Sequence, residues 1–268
     1  MGKFSGYVLC SDIDGTLIDN DHNISQENLD AIAYFKKEGG LFTVATGRTP
    51  YGTSQYIQQV KPSLPVICQN GCAIYDFGAK EYLWTMELDD GVTEAIEYVM
   101  DRYPFAGVEI IGKNDIFLCR ENAATKRHWE YEGLEHIKST VSDAPKPWLK
   151  ILFAQEAEET NFLRSEMEQT PFREKYQIVK SHQYYFEIFH KDGNKGAALR
   201  KLAEIAQIPL ENMIAIGDND NDAQMLEVAG ISAAVGNATT RAKKAAKMIV
   251  NDNCHSAVAD LIFHRLKI

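Results

Sequence analysis

Residues 7–16, Tyr-Val-Leu-Cys-Ser-Asp-Ile-Asp-Gly-Thr, are the stretch from which the fold follows: a short apolar run leads directly into two acids and a turn. The order predicts a buried strand with Asp12 and Asp14 at its carboxyl end. Alternate residues of a strand face opposite ways, but a turn at Gly15 can bring both carboxyl groups toward one space. Carboxylates held that close need a counterion, and Mg²⁺ commonly binds through one or two of them. The simpler alternative is that Asp14-Gly15 is only a turn and Asp12 a cap.

Outward from this stretch, strand-like apolar runs alternate with helical patterns. Ser25 can cap a first helix, which Gly39-Gly40 would end. The later apolar runs and helical patterns cover 41–45, 65–68, 195–206, 213–216, 223–229 and 231–235. Strand and helix in alternation predict an α/β fold, a Rossmann-like parallel sheet with helices on both faces. In such sheets ligands bind at the carboxyl ends of the strands.

Between residues 84 and 189 the alternation is replaced by strands and helices in irregular order. The region contains paired apolar runs without intervening helices, which are typical of an α+β block. We therefore predict a discontinuous core domain, 1–84 and 190–268, interrupted by an inserted α+β domain, 85–189.

Composition excludes some classes of function. The chain has 268 residues and a formal net charge of −10, which disfavours binding to a nucleic-acid backbone. The five cysteines are scattered and lack a CxxC pair, so we expect reduced core residues. No basic start precedes a long apolar run, and no segment reaches the ~18 apolar residues of a membrane span. These features predict a cytoplasmic protein with no membrane or nucleic-acid partner.

A second acidic group follows a predicted strand, in Gly-Asp-Asn-Asp-Asn-Asp at 217–222. Its position between a strand and a helix predicts that it lines the ligand crevice. Asp218, nearest the strand, is the candidate third metal ligand. Asp222 either caps the following helix or orients the metal ligands.

Two further segments suit a phosphate group. Thr46-Gly47-Arg48 places a hydroxyl and a closely approachable backbone at a strand end. Lys195 combines an ammonium with the positive end of a helix dipole. Taken singly, Thr46 reads as a cap and Lys195 as a solvent-facing residue. Together with the acids they suit Mg²⁺ and a transferring phosphoryl group.

These segments, in this order, resemble the four motifs of the haloacid dehalogenase superfamily. The motifs are Asp12-Ile-Asp14-Gly-Thr, Thr46-Gly-Arg48, Lys195 with flanking glycines, and Gly217-Asp218-x-x-Asn221-Asp222. The inserted domain resembles the α/β cap (type C2B) of its Cof-like phosphatases, and the resemblance spans nearly the whole chain. It implies a Mg²⁺-dependent phosphatase acting on a small phosphorylated metabolite, with sugar phosphates as the expected class.

The resemblance also implies roles. Asp12 attacks phosphorus to form an aspartyl-phosphate, while Asp14 protonates the leaving alcohol and later activates water. Mg²⁺ is held by Asp12, the backbone of Asp14, and Asp218. The phosphoryl oxygens are contacted by Thr46, Lys195 and Asn221.

Other implied features are less central. Asn70-Gly71 resembles a further motif of the Cof-like branch that lines the site, as does Arg48. An acid at position 14 favours phosphatases and phosphomutases over the transport ATPases and dehalogenases of the superfamily. Ser11 departs from the pattern, since many members have Phe before the nucleophile.

Three alternatives stay open from the sequence. A sugar phosphomutase carries a similar cap and the same motifs. A phospho-acceptor signalling module also joins acids, Thr and Lys around Mg²⁺, although it lacks an inserted domain. A ligand-binding relative without catalysis is the third. The oligomeric state, monomer or small homo-oligomer, is left undetermined.

Overall fold

The computed structural model describes residues 2–132 and 135–268. The chain forms two compact units. The first contains the chain up to Trp84 together with Asn194–Ile268, and the second contains Thr85–Gly193. The sequence predicts an inserted domain over 85–189, and residues 190–193 lie in the second unit of the structure.

The N-terminal segment alternates strands and helices before it ends in a hairpin. Its elements are β1 (Val8–Ser11), α1 (Gln26–Lys37), β2 (Leu41–Val44), α2 (Pro50–Val60), β3 (Val66–Cys68), β4 (Ala73–Asp76) and β5 (Glu81–Thr85). A helical turn at Ile13–Leu17 follows β1, and another at Gln69–Gly71 follows β3. Both turns therefore stand where a strand of the sheet ends.

The middle segment contains more strands than helices. Its elements are α3 (Val92–Arg102), β6 (Gly107–Gly112), β7 (Ile116–Arg120), α4 (Ala123–Glu132), β8 (Ile137–Lys138), β9 (Trp148–Ala154), α5 (Ala157–Met167), α6 (Phe172–Lys175), β10 (Tyr176–His182) and β11 (Tyr185–His190).

The C-terminal segment returns to strands alternating with helices. Its elements are α7 (Lys195–Ala206), β12 (Met213–Gly217), α8 (Ala223–Val228), β13 (Ile231–Ala234), α9 (Thr240–Ala245), β14 (Met248–Ile249) and α10 (Ala257–Asp260).

The first unit is built on a parallel sheet with strand order β14-β13-β12-β1-β2. A parallel bridge between Ala45 and Ile67 brings β3 next to β2. β1 lies between β12 and β2, and Ser11 at the end of β1 is in register with Val44 at the end of β2 and with Ile216, one residue before the end of β12. The carboxyl ends of these strands consequently meet at one edge, and the predicted α/β class is confirmed.

Local chemistry explains the boundaries of α1. The Ser25 hydroxyl accepts the backbone N–H of Asn28 at 3.2 Å, which satisfies one of the free donors of the first turn. At the other end Gly39 has φ +87°, a conformation that favours glycine and stops the helix. The predicted cap and stop of this helix are therefore confirmed.

The second unit contains a six-stranded sheet with order β10-β11-β9-β6-β7-β8, antiparallel except for the β7–β8 pair. Alternate residues of β6 and β9 face opposite sides. Val108 and Ile110 join a core with residues of α3 and α5. On the opposite side, Ile111 packs with Leu152 and with Ala124 of α4. The predicted α+β character of this region is confirmed.

None of the helices in the described ranges is long and apolar enough to cross a bilayer. In the described part of the chain the cysteines form no disulfide: three are buried (Cys10, Cys68 and Cys72), and Cys119 is half-buried. Cys254 is exposed. The prediction of five core cysteines is therefore wrong for Cys254, which lies in an irregular C-terminal turn that no apolar periodicity marks.

Candidate active site

The turn after β1 is held in place by the neighbouring strand and by a glycine. Asp12 donates its backbone N–H to the carbonyl of Ile216 at 2.9 Å. Gly15 has φ +78°, and a Cβ there would lie 2.6 Å from Oδ2 of Asp218. Glycine is needed at this position both for its backbone conformation and for the close approach of Asp218.

Lys195 contacts two of the candidate acids, Asp12 and Asp222. Its Nζ lies 2.6 Å from Oδ1 of Asp12 and 2.6 Å from Oδ1 of Asp222, and the side chain is 1% exposed. Burial acts to lower the pKa of Lys195, but the two carboxylates outweigh it and hold the pKa above its ordinary value. Lys195 is therefore a buried ammonium, and the solvent-facing interpretation is wrong.

Asp222 ties this lysine to the loop after β12. Its Oδ2 accepts the backbone N–H groups of Asp218 and Asn219, each at 3.0 Å. The side chain makes no hydrogen bond that caps α8, so the helix-cap alternative is wrong. Asp222 instead fixes the loop and Lys195, while Thr16 donates to Oδ1 of Asp218 at 3.1 Å.

Three carboxylates converge here. Single oxygens of Asp12, Asp218 and Asp222 lie within 4.8 Å of one another. The ammonium of Lys195 pairs with two of these three carboxyl groups, those of Asp12 and Asp222. Burial raises the pKa of Asp12, and burial followed by the charge of Asp222 raises the pKa of Asp218 to about 6. Among the described residues Oδ2 of Asp12 is buried without a hydrogen-bond partner, so the donor set suits a hard divalent cation.

The Asp14 side chain lies apart from this acidic group. It pairs with Arg48 in bidentate fashion, Nε to Oδ2 at 2.9 Å and Nη2 to Oδ1 at 2.7 Å. Arg48 is buried and also lies over the ring of Tyr56. This pair holds the Asp14 carboxylate against the segment after β2, and the group of converging carboxylates comprises Asp12, Asp218 and Asp222 without it.

The other candidate residues also gather at this edge of the sheet. Thr46 is buried, and its hydroxyl accepts the backbone N–H of Arg48 at 3.1 Å. A Cβ on Gly47 would lie 2.9 Å from Oδ1 of Asn70. Asn70 in turn accepts a hydrogen bond from Nδ2 of Asn221 at 2.8 Å.

Gly71 links this corner to Lys195. It has φ +91°, and a Cβ there would lie 2.2 Å from the backbone of Asn194. Among the described residues, Oδ1 of Asn221 is buried without a partner. In this orientation Asn221 offers an acceptor, so binding a phosphoryl oxygen requires its amide to turn over.

The sequence does not single out two residues, Thr16 and Asn237, that hold parts of the site in place. Thr16 was only part of a quoted motif, yet it holds Asp218. Asn237 donates from Nδ2 to the carbonyl of Gly15 at 2.9 Å, which fixes the turn from a loop 222 residues away in sequence. No local pattern marks Asn237, because its role exists only once β13 lies beside β12.

The sequence profile of the haloacid dehalogenase-like hydrolase family matches residues 9–262. The chain therefore belongs to this family, and the resemblance inferred from its motifs is confirmed. The fold agrees: a haloacid dehalogenase-like hydrolase from Bacteroides thetaiotaomicron superposes with a TM-score of 0.84. That match covers 96% of this chain and 98% of the other, at 24% identity.

Curated relatives of similar length carry phosphatase names. The Bacillus subtilis phosphatase YwpJ is 26% identical, covering 97% of this chain and 99% of the relative. The Bacillus subtilis 5-amino-6-(5-phospho-D-ribitylamino)uracil phosphatase YwtE is 27% identical, covering 94% of this chain and 95% of the relative. The alignments run through both units, so this chain has the domain content of these relatives.

Proposed function

We propose that this hydrolase is a Mg²⁺-dependent phosphatase that releases phosphate from a small phosphorylated metabolite through an aspartyl-phosphate on Asp12. The observation that carries the proposal is the Asp12 carboxylate: one oxygen is fixed by Lys195 at 2.6 Å, and the other is buried without a partner among the described residues. A buried ionised oxygen left unpaired is costly unless a ligand completes it.

Asp12 acts as the nucleophile. A carboxylate oxygen forms a bond to phosphorus as the ester P–O bond breaks, which divides a difficult displacement into two easier steps. Lys195 orients the carboxylate before the reaction and keeps a positive charge beside it. Its bond to Asp222 holds the ammonium in place, so no reorganisation is needed when the phosphoryl group arrives.

Asp14 moves the protons. It gives a proton to the leaving alcohol oxygen and then takes one from the water that hydrolyses the aspartyl-phosphate, which restores Asp12. Arg48 donates to both oxygens of this carboxylate, at 2.9 Å and 2.7 Å, and so orients it.

The cation would be held by Asp12, Asp218 and the backbone of Asp14. Asp222 would orient the loop that carries Asp218, whose backbone N–H it accepts. When bound, Mg²⁺ supplies positive charge that offsets the repulsion between an anionic nucleophile and an anionic phosphate. The Thr46 segment and Lys195 offer donors to the phosphoryl oxygens, and Asn221 does so once its amide has turned over.

The substrate class we propose is a sugar phosphate or a related polyol phosphate. The relative YwtE is named for a substrate in which phosphate is carried on a ribityl chain, and that polyol ester supports the proposal. Two cationic residues of the second unit, Arg120 and Lys126, have partners within that unit. Arg120 donates to the carbonyls of Met100 and Tyr103, and Lys126 pairs with Glu121.

The test is phosphate release from p-nitrophenyl phosphate and a panel of sugar and polyol phosphates, with Mg²⁺ and with EDTA. We expect release only with Mg²⁺, and a loss on the order of 10⁴-fold in Asp12→Asn. The exposed Asp101→Asn is the matched control and should keep wild-type activity.

Product analysis separates the phosphatase from a phosphomutase. Free phosphate in amounts equal to the sugar formed supports the proposal, whereas an isomerised sugar phosphate without phosphate release contradicts it. Substantial activity in Asp12→Asn would show that the nucleophile is assigned wrongly.

A further inference from the structure

The turn that follows β3 has an unusual backbone. Gln69, Asn70 and Gly71 have φ values of +52°, +56° and +91° in succession, in a region that suits glycine and that asparagine tolerates. Gln69 is of neither kind, so its left-handed conformation is unfavourable by itself. The surrounding structure therefore holds Gln69 in this conformation, and backbone strain of this kind is concentrated at functional sites.

Closing a hairpin does not by itself account for this turn. The turn connects the antiparallel strands β3 and β4, and common two-residue and three-residue hairpin loops need positive φ at one or two residues. Two of its backbone N–H groups also bond outside the hairpin. Gln69 donates to the carbonyl of Arg48 at 2.9 Å. Asn70 donates to the carbonyl of Thr46 at 3.0 Å, so the turn is tied to the segment after β2 at two points.

The bond from Gln69 leads through Arg48 to a candidate catalytic acid. Arg48 donates from Nε and Nη2 to the two carboxylate oxygens of Asp14, at 2.9 Å and 2.7 Å. The Arg48 side chain is buried, and the carbonyl of the same residue accepts the Gln69 N–H. The turn therefore fixes the backbone of Arg48, and Arg48 in turn fixes the carboxylate of Asp14.

The side chain of Gln69 makes no polar contact that could replace this backbone bond. It is 1% exposed, and among the described residues neither atom of its amide has a hydrogen-bond partner. A buried amide without partners adds to the cost of the conformation. Gln69 thus acts on Arg48 through its backbone, and a different φ would displace the turn relative to the peptide that carries this N–H.

We propose that Gln69 is a positioning residue for proton transfer to the leaving group. Its left-handed backbone holds Arg48, which holds the Asp14 carboxyl group that gives a proton to the alcohol oxygen as the P–O bond breaks. The inference rests on the proposed function, because it assigns that proton to Asp14. A disturbed turn should therefore impair the reactions that need this proton and spare those that do not.

The test compares two phosphate esters of similar size in Gln69→Val. p-Nitrophenolate leaves p-nitrophenyl phosphate without a proton, whereas the alkoxide of benzyl phosphate needs one. Valine is β-branched and strongly disfavours positive φ. We expect kcat/KM with Mg²⁺ to fall about 10-fold to 100-fold for benzyl phosphate and less than about 3-fold for p-nitrophenyl phosphate. An equal fall for both esters, or no fall for either, would overturn the proposal.

Gln207→Val is the matched control. Gln207 also has a left-handed backbone, with φ +56°, but it is exposed and lies at the opposite end of α7 from Lys195. This variant should lose thermal stability, as Gln69→Val does, and keep the wild-type ratio of the two kcat/KM values. A ratio that changes equally in Gln207→Val would contradict a specific role for Gln69.

Two further variants test the path through Arg48. Gln69→Asn should recover most of the benzyl phosphate activity, because asparagine tolerates positive φ. The double variant Gln69→Val/Arg48→Ala should be no more defective than Arg48→Ala, since both changes act through one contact. Effects that multiply in the double variant would contradict this path.

The experiment separates this role from the proposed function. If the wild-type protein released no phosphate from either ester with Mg²⁺, both would be contradicted. If the wild type were active and folded Gln69→Val kept its ratio, the positioning role alone would fail. Should Gln69→Val not fold, Gln69→Ala replaces it, because alanine also disfavours positive φ, and the ratio should then fall at least about 3-fold. An unchanged ratio in Gln69→Ala would likewise contradict the role.

Discussion

Each unit of the molecule buries a lysine against carboxylates, but the two clusters differ in what they leave unsatisfied. In the first unit Lys195 contacts Asp12 and Asp222, and Oδ2 of Asp12 lacks a partner among the described residues. In the second unit Lys150 and Glu187 are each 4% exposed and pair at 2.8 Å. In the described ranges, no buried side-chain atom of this second pair lacks a partner.

We propose that the Lys195 cluster binds a ligand, whereas the Lys150–Glu187 pair has a structural role. A buried ion pair gains little net stability, since desolvation offsets attraction, but breaking one is expensive. Lys150 and Glu187 are diagonal neighbours across β9 and β11, so the pair is completed by the sheet itself. The Lys195 cluster contains more carboxyl groups than cationic groups among the described residues, and a bound cation can balance that excess. Both clusters are buried, and they differ because Oδ2 of Asp12 lacks a hydrogen-bond partner among the described residues.

The same contrast appears at Glu109 of the second unit. This carboxylate is fully buried, but His128 lies 2.8 Å from Oε2, and Trp129 donates to Oε1 at 2.8 Å. Both oxygens are thus matched within the unit. A buried acid with both oxygens matched needs no ligand.

Among the changes that break one of these two lysine clusters, the largest expected effect is that of Lys195→Met on catalysis. We expect kcat/KM for p-nitrophenyl phosphate to fall about 10³-fold, because a preorganised positive group beside the reacting oxygens is lost. Lys201→Met, on the exposed side of the same helix, is the control and should retain activity. If Lys195→Met kept more than about a tenth of the activity, a catalytic role for the Lys195 cluster would be contradicted.

Next in size is the effect of Lys150→Met on stability. It leaves Glu187 buried without its cation, so the free energy of unfolding should fall by about 3–5 kcal/mol in urea titrations. The double variant Lys150→Met/Glu187→Leu should recover most of that loss. Lys113→Met breaks a half-exposed pair with Glu87 and should cost less than about 1 kcal/mol. A double variant no more stable than the single one would show that the pair is not self-contained.

A smaller effect is expected for Gly15→Ala. The left-handed backbone costs a non-glycine residue about 1–2 kcal/mol, and the new Cβ would displace the Asp218 carboxylate. Calorimetry with Mg²⁺ should show weaker binding, and thermal unfolding a lower Tm. Gly78→Ala, in a turn where the nearest contact is 3.2 Å from the Asp76 side chain, is the control. Unchanged Mg²⁺ affinity in Gly15→Ala would remove Asp218 from the cation site.

The smallest expected effect is a pH dependence of the metal-free protein. The pKa of Asp218 is raised to about 6 from an ordinary 3.8, so the folded state binds the proton more tightly than the unfolded state. The stability contributed by this group should therefore be fully present below about pH 4 and be lost as the pH rises through about 6. Urea titrations across this range, with EDTA and then with Mg²⁺, test it. The slope should vanish in Asp218→Asn, and a slope that survives there assigns it to another group.

Much of the fold follows from local patterns. The apolar runs, the Ser25 cap and the alternation of strands with helices locate most elements of the first unit to within a residue or two. The β4–β5 hairpin was not predicted, because β5 alternates exposed and half-buried residues without a strong apolar run. The short strand β14 was also missed, since two residues carry no periodicity.

The sequence predicts which residues gather at this edge of the sheet, but it does not predict most of the contacts that they make. The four motifs predict which residues gather, because carboxyl ends of neighbouring parallel strands share an edge. The partners of Asp222 and Asp14 were not predicted: one side chain holds a loop and Lys195, and the other pairs with Arg48. Such choices depend on distances between segments far apart in sequence.

The amino-acid sequence by itself determined the family, the alternation that produces a parallel sheet, and the acids, lysine and threonine available for chemistry. Only the tertiary structure decided which oxygen of Asp12 is engaged by Lys195 and that Asp14 is held by Arg48. The physical reason is range: propensity and hydrophobic periodicity act between near neighbours in the chain. Hydrogen bonds and ion pairs between buried groups depend instead on separations of a few ångströms, which packing alone sets.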